Sequence, residues 1–166
     1  MTIDSFSGKY HFLSNFYPCT IVYEGITYPS TEHAYQAAKT LETETRGYIA
    51  TLKTPGLAKK AGRLVNMRQD WESAKYKVMY EVCSIKFQDS ELRKKLVDTA
   101  PCDLIEWNTW HDNTWGICRC KKCPGKGQNL LGRVLMEIRG DIKLCNFLRN
   151  SMNDEFLGPW SHIKLF

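Results

Sequence analysis

The stretch YPSTEHAYQAAK, residues 28–39, sets a carboxylate and an imidazole, Glu32 and His33, beside each other where a helix begins. On that helix positions 32, 35, 36 and 39 share a face, so Glu32, Tyr35, Gln36 and Lys39 form a polar strip opposite the alanines. Helical rise separates Glu32 from Lys39 by roughly 10 Å, comparable with the reach from a sugar ring to a phosphate it carries. The positive end of a helix favours the ionised form of a first-turn carboxylate. Such an anion can stabilise positive charge in a transition state or act as a base toward water. A first-turn glutamate also stabilises a helix with no ligand at all, and this segment by itself favours that plainer reading.

A second group of reactive types is EWNTWHDNTWG, residues 106–116, where three tryptophans, a histidine and Asp112 occur in a segment too irregular for one core-facing element. Indoles in a polar loop suit stacking on a flat heterocycle, and a carboxylate nearby can act on the bond beside it. Trp107 and Trp115 can equally plug the core, which for Trp107, on an expected strand, is the better reading, and Asp112 reads equally as a turn residue ahead of Asn113. PGKGQN, residues 124–129, puts two glycines and Lys126 before a helix start, where free amides bind phosphate. It matches neither the P-loop nor the dinucleotide fingerprint. CRCKKC supplies Cys118, Cys120 and Cys123, three zinc ligands if Cys102, Cys145 or His111 completes the set. Without paired CxxC knuckles the preferred reading is free thiols, no metal is assigned, and a zinc ion here would be a structural clip.

Several elements must position these groups. TIVYEGITY reads as two short strands turning at Glu24 and Gly25. Ser30 or Thr31 caps the helix that carries Glu32, with Ala34, Ala37, Ala38 and Leu41 as its apolar stripe. Thr54 and Pro55 start another helix with Leu57, Ala61 and Leu64 on one side. Asp70 caps WESAKYKVMYEVCSIKFQ, in which Trp71, Ala74, Val78, Val82 and Ile85 recur at helical spacing. DSELRKKLVDT gives a shorter helix that stops before Pro101. DLIEW reads as a strand, and the stretch from there to Gln128 as a loop. NLLGRVLMEIRGDIK reads as a helix burying Leu131, Val134, Leu135 and Ile138. The tail NDEFLGPWSHIKLF carries no assignable pattern. The expected fold class is α+β, a single mostly helical domain over residues 1–166 with a few short strands.

The 166 residues, 43% hydrophobic and 25% charged, suffice for one domain with a real core. A net charge of +5 favours anionic ligands such as phosphates but falls short of a nucleic-acid coat. No export signal and no apolar run of membrane-spanning length is visible, so a cytoplasmic protein without membrane contact is expected. Seven cysteines, an odd number, then fit thiols better than a disulfide framework.

Taken together, FLSNFYPC, YPSTEHAYQAAK, KKAGR, DWESAKYKVM, KF, HDNTWG and GKGQNLLGRVLMEIR resemble, in order, the motifs of the NADAR or YbiA-like family over about residues 12–139. The resemblance implies a compact, mostly helical α+β fold and an N-glycosidase acting on ribose attached to nitrogen. The substrate types it implies are phosphorylated ribosylamino-pyrimidine intermediates of riboflavin synthesis and ADP-ribose attached to guanine, with ADP-ribosylated nucleic acid among the candidate partners. The family's acidic motif falls on Glu32 and its Asp and Trp pair on Asp112 and Trp115. The chain departs from the pattern at ICRCKKCP, where a short Gly-rich loop is expected.

Breaking a ribosyl C–N bond builds oxocarbenium character that a carboxylate stabilises, while another group deprotonates water. Glu32 is assigned the water or cation and Asp112 the ribose hydroxyls or leaving base, roles that could be exchanged. Trp115 is expected to stack on the ligand, Lys39, Arg63 and Lys126 to hold phosphate, and Asn15 and Tyr35 to contact ribose. This chemistry needs no cofactor, and turnover is expected to survive a strong chelator. The alternatives are a catalytically silent ADP-ribose or nucleotide-binding module and a zinc-clipped nucleic-acid binder, the latter lacking a concentrated basic face.

Overall fold

The computed structural model describes residues 1–151, and the tail NDEFLGPWSHIKLF lies outside them. The chain opens with β1 (Thr2–Ile3) and a 3-10 helix (Gly8–Leu13). Glu24 and Gly25, at φ 47° and 80°, form the turn that joins β2 (Pro18–Tyr23) to β3 (Ile26–Ser30) as an antiparallel hairpin. Two left-handed residues match the twist of the flanking strands, which is why an x-Gly pair works there.

Ser30 then caps α1 (Thr31–Ala37), its Oγ accepting the His33 N–H at 3.3 Å. The helix is shorter than the alanine stripe predicts, so Lys39 lies just past its end and Leu41 is 67% exposed. Its whole length is buried, including Glu32, His33 and Gln36. His33 is a structural pin: its ring bridges Ser30 Oγ at 2.7 Å and the Leu52 carbonyl at 3.0 Å. Burying this many polar groups is costly unless each is satisfied or used.

α2 (Thr43–Thr51) and α3 (Pro55–Ala61) both pack on α1. Thr54 caps α3 by accepting the Leu57 N–H at 3.2 Å. This helix ends at Ala61 and buries Ala58, leaving Leu57 and Leu64 exposed where the sequence pattern predicts an inward face. The small side is needed for close approach: a Cβ on Gly62 would sit 2.0 Å from Gln36 Oε1.

α4 (Trp71–Lys86) buries Trp71, Val78, Met79 and Val82. Asp70 precedes it but does not cap it, because its carboxylate is taken by Arg68 at 2.6 and 2.8 Å. α5 (Ser90–Asp98) is capped by Asp89, which accepts the Glu91 and Leu92 N–H groups. α6 (Leu130–Ser151) packs on α4 and α5 through the predicted Leu131, Val134, Leu135 and Ile138.

DLIEW is not one strand. β4 (Asp103–Leu104) pairs in parallel with β1, whereas β5 (Trp107–Asn108) belongs to a small sheet with β6 (Ile117–Cys118) and β7 (Lys126–Gly127). Asn129 holds the break, its Oδ1 accepting the Glu106 N–H at 3.0 Å and its Nδ2 donating to the Leu104 carbonyl at 2.8 Å. The stretch read as a loop therefore contains a short three-stranded platform. The architecture is α+β and mostly helical, as expected. No helix among the described residues is long and apolar enough to cross a membrane.

Candidate active site

Glu32 is fastened at both ends. Its N–H donates to the Asn15 carbonyl at 3.0 Å, tying the start of α1 to the segment before β2. Its side chain is only 6% exposed, and Oε1 accepts from Gln36 Nε2 at 2.8 Å, one helical turn away. Burial pushes the carboxyl pKa up, against the Gln36 hydrogen bond and the charges of Lys59 and Lys39, and the negative charge of Asp112 pushes it further up. Desolvation thus outweighs the helix-end field that the sequence suggested would keep this group anionic. A carboxylate so raised is a stronger base toward water.

Lys39 stands beside the Tyr35 ring, with Nζ 5.7 Å from its centroid, and reaches the Gly62 carbonyl at 3.5 Å. Burial lowers its pKa, Glu32 opposes that, and Lys59 and Arg63 add to the lowering. Tyr35 meets Trp115 edge-on, with centroids 5.3 Å apart and planes at 80°. Trp71 closes the other side of Tyr35 at 5.2 Å. Burial raises the Tyr35 pKa well above its ordinary value, so the phenol remains protonated.

The loop that brings Trp115 here is built on Asn108, which is 3% exposed. Its Oδ1 accepts the Asp112 N–H at 3.1 Å, and its Nδ2 donates to the Asp112 carbonyl at 2.7 Å. Asp112 Oδ1 in turn accepts the N–H groups of Thr114 at 3.1 Å and Trp115 at 2.9 Å. Asp112 is thus a turn residue, and its charge also reaches Glu32, Tyr35 and Glu106. The turn uses one carboxylate oxygen, Oδ1, and is the reading of Asp112 that the hydrogen bonds bear on.

The remaining sequence candidates separate. Arg63 is exposed just beyond α3, with its charge felt at Lys39. The Asn15 side chain points into the core, where Nδ2 lies 3.3 Å from Met79 Sδ and Oδ1 3.7 Å from Cys83 Sγ. Its contribution to the site is the carbonyl that receives Glu32. Lys126 is exposed on β7, opposite Cys118, and is not among the charges that reach Glu32 or Lys39. Trp107 is only half-buried, its ring lying 3.6 Å under the Arg119 guanidinium rather than plugging the core.

Two residues were missed. Glu106 has Oε2 buried without a hydrogen-bond partner among the described residues, and burial together with the charge of Asp112 pushes its pKa up to about 7, against the pull of Lys59. Lys59, on α3, acts on Glu32, Lys39 and Glu106 together. The available signals were a glutamate between Ile105 and Trp107 in an otherwise apolar run and the basic pair opening KKAGR. Gln36 Oε1 is also buried and has no partner among the described residues, a second acceptor beside Glu32. The cluster therefore offers a buried base, a carboxyl that holds its proton near neutrality, two lysines and an edge-stacked aromatic pair. None of these groups lines the hollow between α2 and α3 or the one between α4 and α6.

The NADAR domain family matches residues 4–143, a wider span than the motifs marked out. The chain belongs to that family. This NADAR domain is 38% identical over 143 residues to N-glycosidase YbiA of Escherichia coli (strain K12), covering 84% of this chain and 86% of that protein. It is 33% identical over 135 residues to riboflavin biosynthesis protein VVA0006 of Vibrio vulnificus (strain YJ016), covering 80% of this chain and 35% of that one. The NMR structure of E. coli YbiA superposes with a TM-score of 0.75 at 35% identity, covering 89% of both chains. The NADAR fold expected from the motifs is the fold observed.

Proposed function

We propose that this NADAR domain is an N-glycosidase that hydrolyses the C–N bond between ribose and a nitrogen base. The observation that carries the proposal is Glu32: a carboxylate buried on a fully buried helix, answered by Lys39 and Lys59 and facing the charge of Asp112. Buried carboxylates with raised pKa values cluster at sites that do chemistry, and hydrolysis at an anomeric carbon uses one. The relatives named N-glycosidase support the reaction class.

In the reaction, the C1′–N bond breaks with its electron pair going to the base, and positive charge grows on C1′ and the ring oxygen. Glu32 stabilises that charge and takes a proton from the water that adds to C1′. Glu106, with a pKa near 7, gives its proton to the departing nitrogen, and the proton on Glu32 later restores the starting state through solvent. Asp112 orients the ribose hydroxyls, and Trp115 stacks on the heterocycle while Tyr35 buttresses the indole edge-on. Lys39, Lys59 and Arg63 hold the phosphate; the Asn15 side chain, committed to the core, and Lys126, exposed on β7, are given no contact. Candidate substrates are ADP-ribosylated guanine, as nucleotide or in nucleic acid, and phosphorylated ribosylamino-pyrimidine. A relative named for riboflavin biosynthesis supports the second.

The test is parallel incubation of the purified protein with both substrate types, following release of the free base. Release from one of them, lost in Glu32→Gln, is expected. Tight binding with no release from either would make the domain a nucleotide-binding module.

A further inference from the structure

Where the segment that departs from the family pattern meets the HDNTWG motif, four side chains converge that the catalytic reading does not use. His111, Cys118, Cys120 and Cys123 each offer a ligand atom, and these atoms all lie within 4.8 Å of one another. His111 Nδ1 is 3.2 Å from Cys120 Sγ and 3.3 Å from Cys123 Sγ, and the latter two sulfurs are 3.3 Å apart. Zinc bond lengths of about 2.1 Å to nitrogen and 2.3 Å to sulfur place tetrahedral ligands about 3.6–3.8 Å from each other. His111, Cys120 and Cys123 need to open by only a few tenths of an ångström, and the widest separation in the set, within 4.8 Å, to close by at most about 1 Å, to admit the ion. Of the three candidates for a fourth ligand, the fold selects His111, while Cys102 packs against the core and Cys145 lies on α6.

The surroundings suit an ion better than free thiols. Cys118 and Cys123 are buried at 0% and 8% exposure, yet neither joins the hydrophobic core that takes in Cys83, so apolar packing does not account for their burial. The Cys120 N–H points at Cys118 Sγ at 3.4 Å, a donor that stabilises a thiolate. The turn closes through Gly125 N–H to the Cys118 carbonyl at 2.7 Å. His111 adopts φ 65°, a strained conformation for a non-glycine residue, and its ring meets the sulfurs. Three thiolates, a neutral imidazole and Zn²⁺ leave one negative charge, which the exposed Lys121 and Lys122 offset. The platform of two-residue strands β5, β6 and β7 has too few residues for a core of its own and needs a staple.

We infer that His111, Cys118, Cys120 and Cys123 bind one zinc ion as a structural clip, and that the clip positions the neighbouring Asp112 and Trp115. Binding displaces the thiol protons to solvent and changes no oxidation state. The set is closed, with four protein ligands and no open position, so the ion takes no part in breaking the glycosidic bond. The expectation that turnover survives a chelator is accordingly replaced: extracting the ion disorders the loop that carries Asp112. The metal site itself does not depend on the glycosidase reading; only the consequence for Asp112 does.

The test uses the untagged full chain. Elemental analysis should give about one zinc per chain, and cobalt exchanged into the site should show thiolate charge-transfer and tetrahedral d–d bands. Removing the metal should speed trypsin cleavage after Arg119, Lys121 and Lys122 roughly tenfold or more, with re-added zinc restoring protection. Cys120→Ser should lose the cobalt spectrum. If that variant fails to fold, the metal content of the parent still decides the matter. Protein that retains no zinc and takes up no cobalt, or that carries a Cys120–Cys123 disulfide by mass spectrometry, overturns the inference. A zinc-bearing protein that releases no base would instead sink the glycosidase reading and leave the clip standing.

Discussion

Replacing Glu106 by glutamine should flatten the loss of stability that the folded protein suffers on the alkaline side. In the folded chain this carboxyl is pushed from its ordinary 4.5 up to about 7. The folded state therefore holds the proton more tightly than the unfolded one. Its contribution is fully present below pH 4.5 and is lost as pH rises toward about 7. The whole displacement corresponds to about 3 kcal/mol, and the part falling between pH 5 and pH 8.5 to about 2.5 kcal/mol. Water reaching the partly exposed carboxyl reduces this, so a difference of about 1–2.5 kcal/mol is expected. The assay is urea unfolding of parent and Glu106→Gln at both pH values. The comparison is of slopes with pH, because a buried amide adds its own pH-independent cost. In parallel, the alkaline limb of the rate profile near pH 7 should disappear in the variant, together with most of the activity on substrates with poor leaving bases. Equal pH dependence of stability in the two proteins would refute the account of Glu106 as a proton-holding acid.

Glu32→Gln should keep the fold and much of the ligand affinity but cut base release at least about a hundredfold, measured on a substrate the parent cleaves; unchanged turnover would return Glu32 to a helix-start role. Because burial raises the Glu32 pKa, the parent's rate should fall on acidification as this base is protonated. Glu32→Gln should lack that acid limb in its residual rate. Arg63→Ala should weaken binding of a phosphorylated ligand far more than of the bare riboside, read by calorimetry with both ligands, and equal losses would mark Arg63 as a structural residue.

Local patterns determined much of this protein. The Glu24–Gly25 turn, the Ser30, Thr54 and Asp89 caps and the inward stripe of α6 follow from preferences that act over a few residues and hold wherever the segment sits. The same short-range logic put Glu32, Tyr35 and Lys39 near one another, and motif order associated them with Asp112 and Trp115. Tertiary structure decided what the local pattern leaves open. Leu57 and Leu64 are exposed because α3 turns its small side to α1, a choice made by the close approach of Gly62 to Gln36. Asp70 gives up its cap to Arg68, and DLIEW splits because Asn129, far along the chain, bonds into the break. The ionisation of the site is the clearest case. A first-turn position favours an anionic Glu32, and only enclosure by neighbouring elements reverses that preference and keeps a proton on Glu106 near pH 7. Desolvation depends on everything within several ångströms of a group, and that surrounding is assembled from parts of the chain that no spacing rule connects.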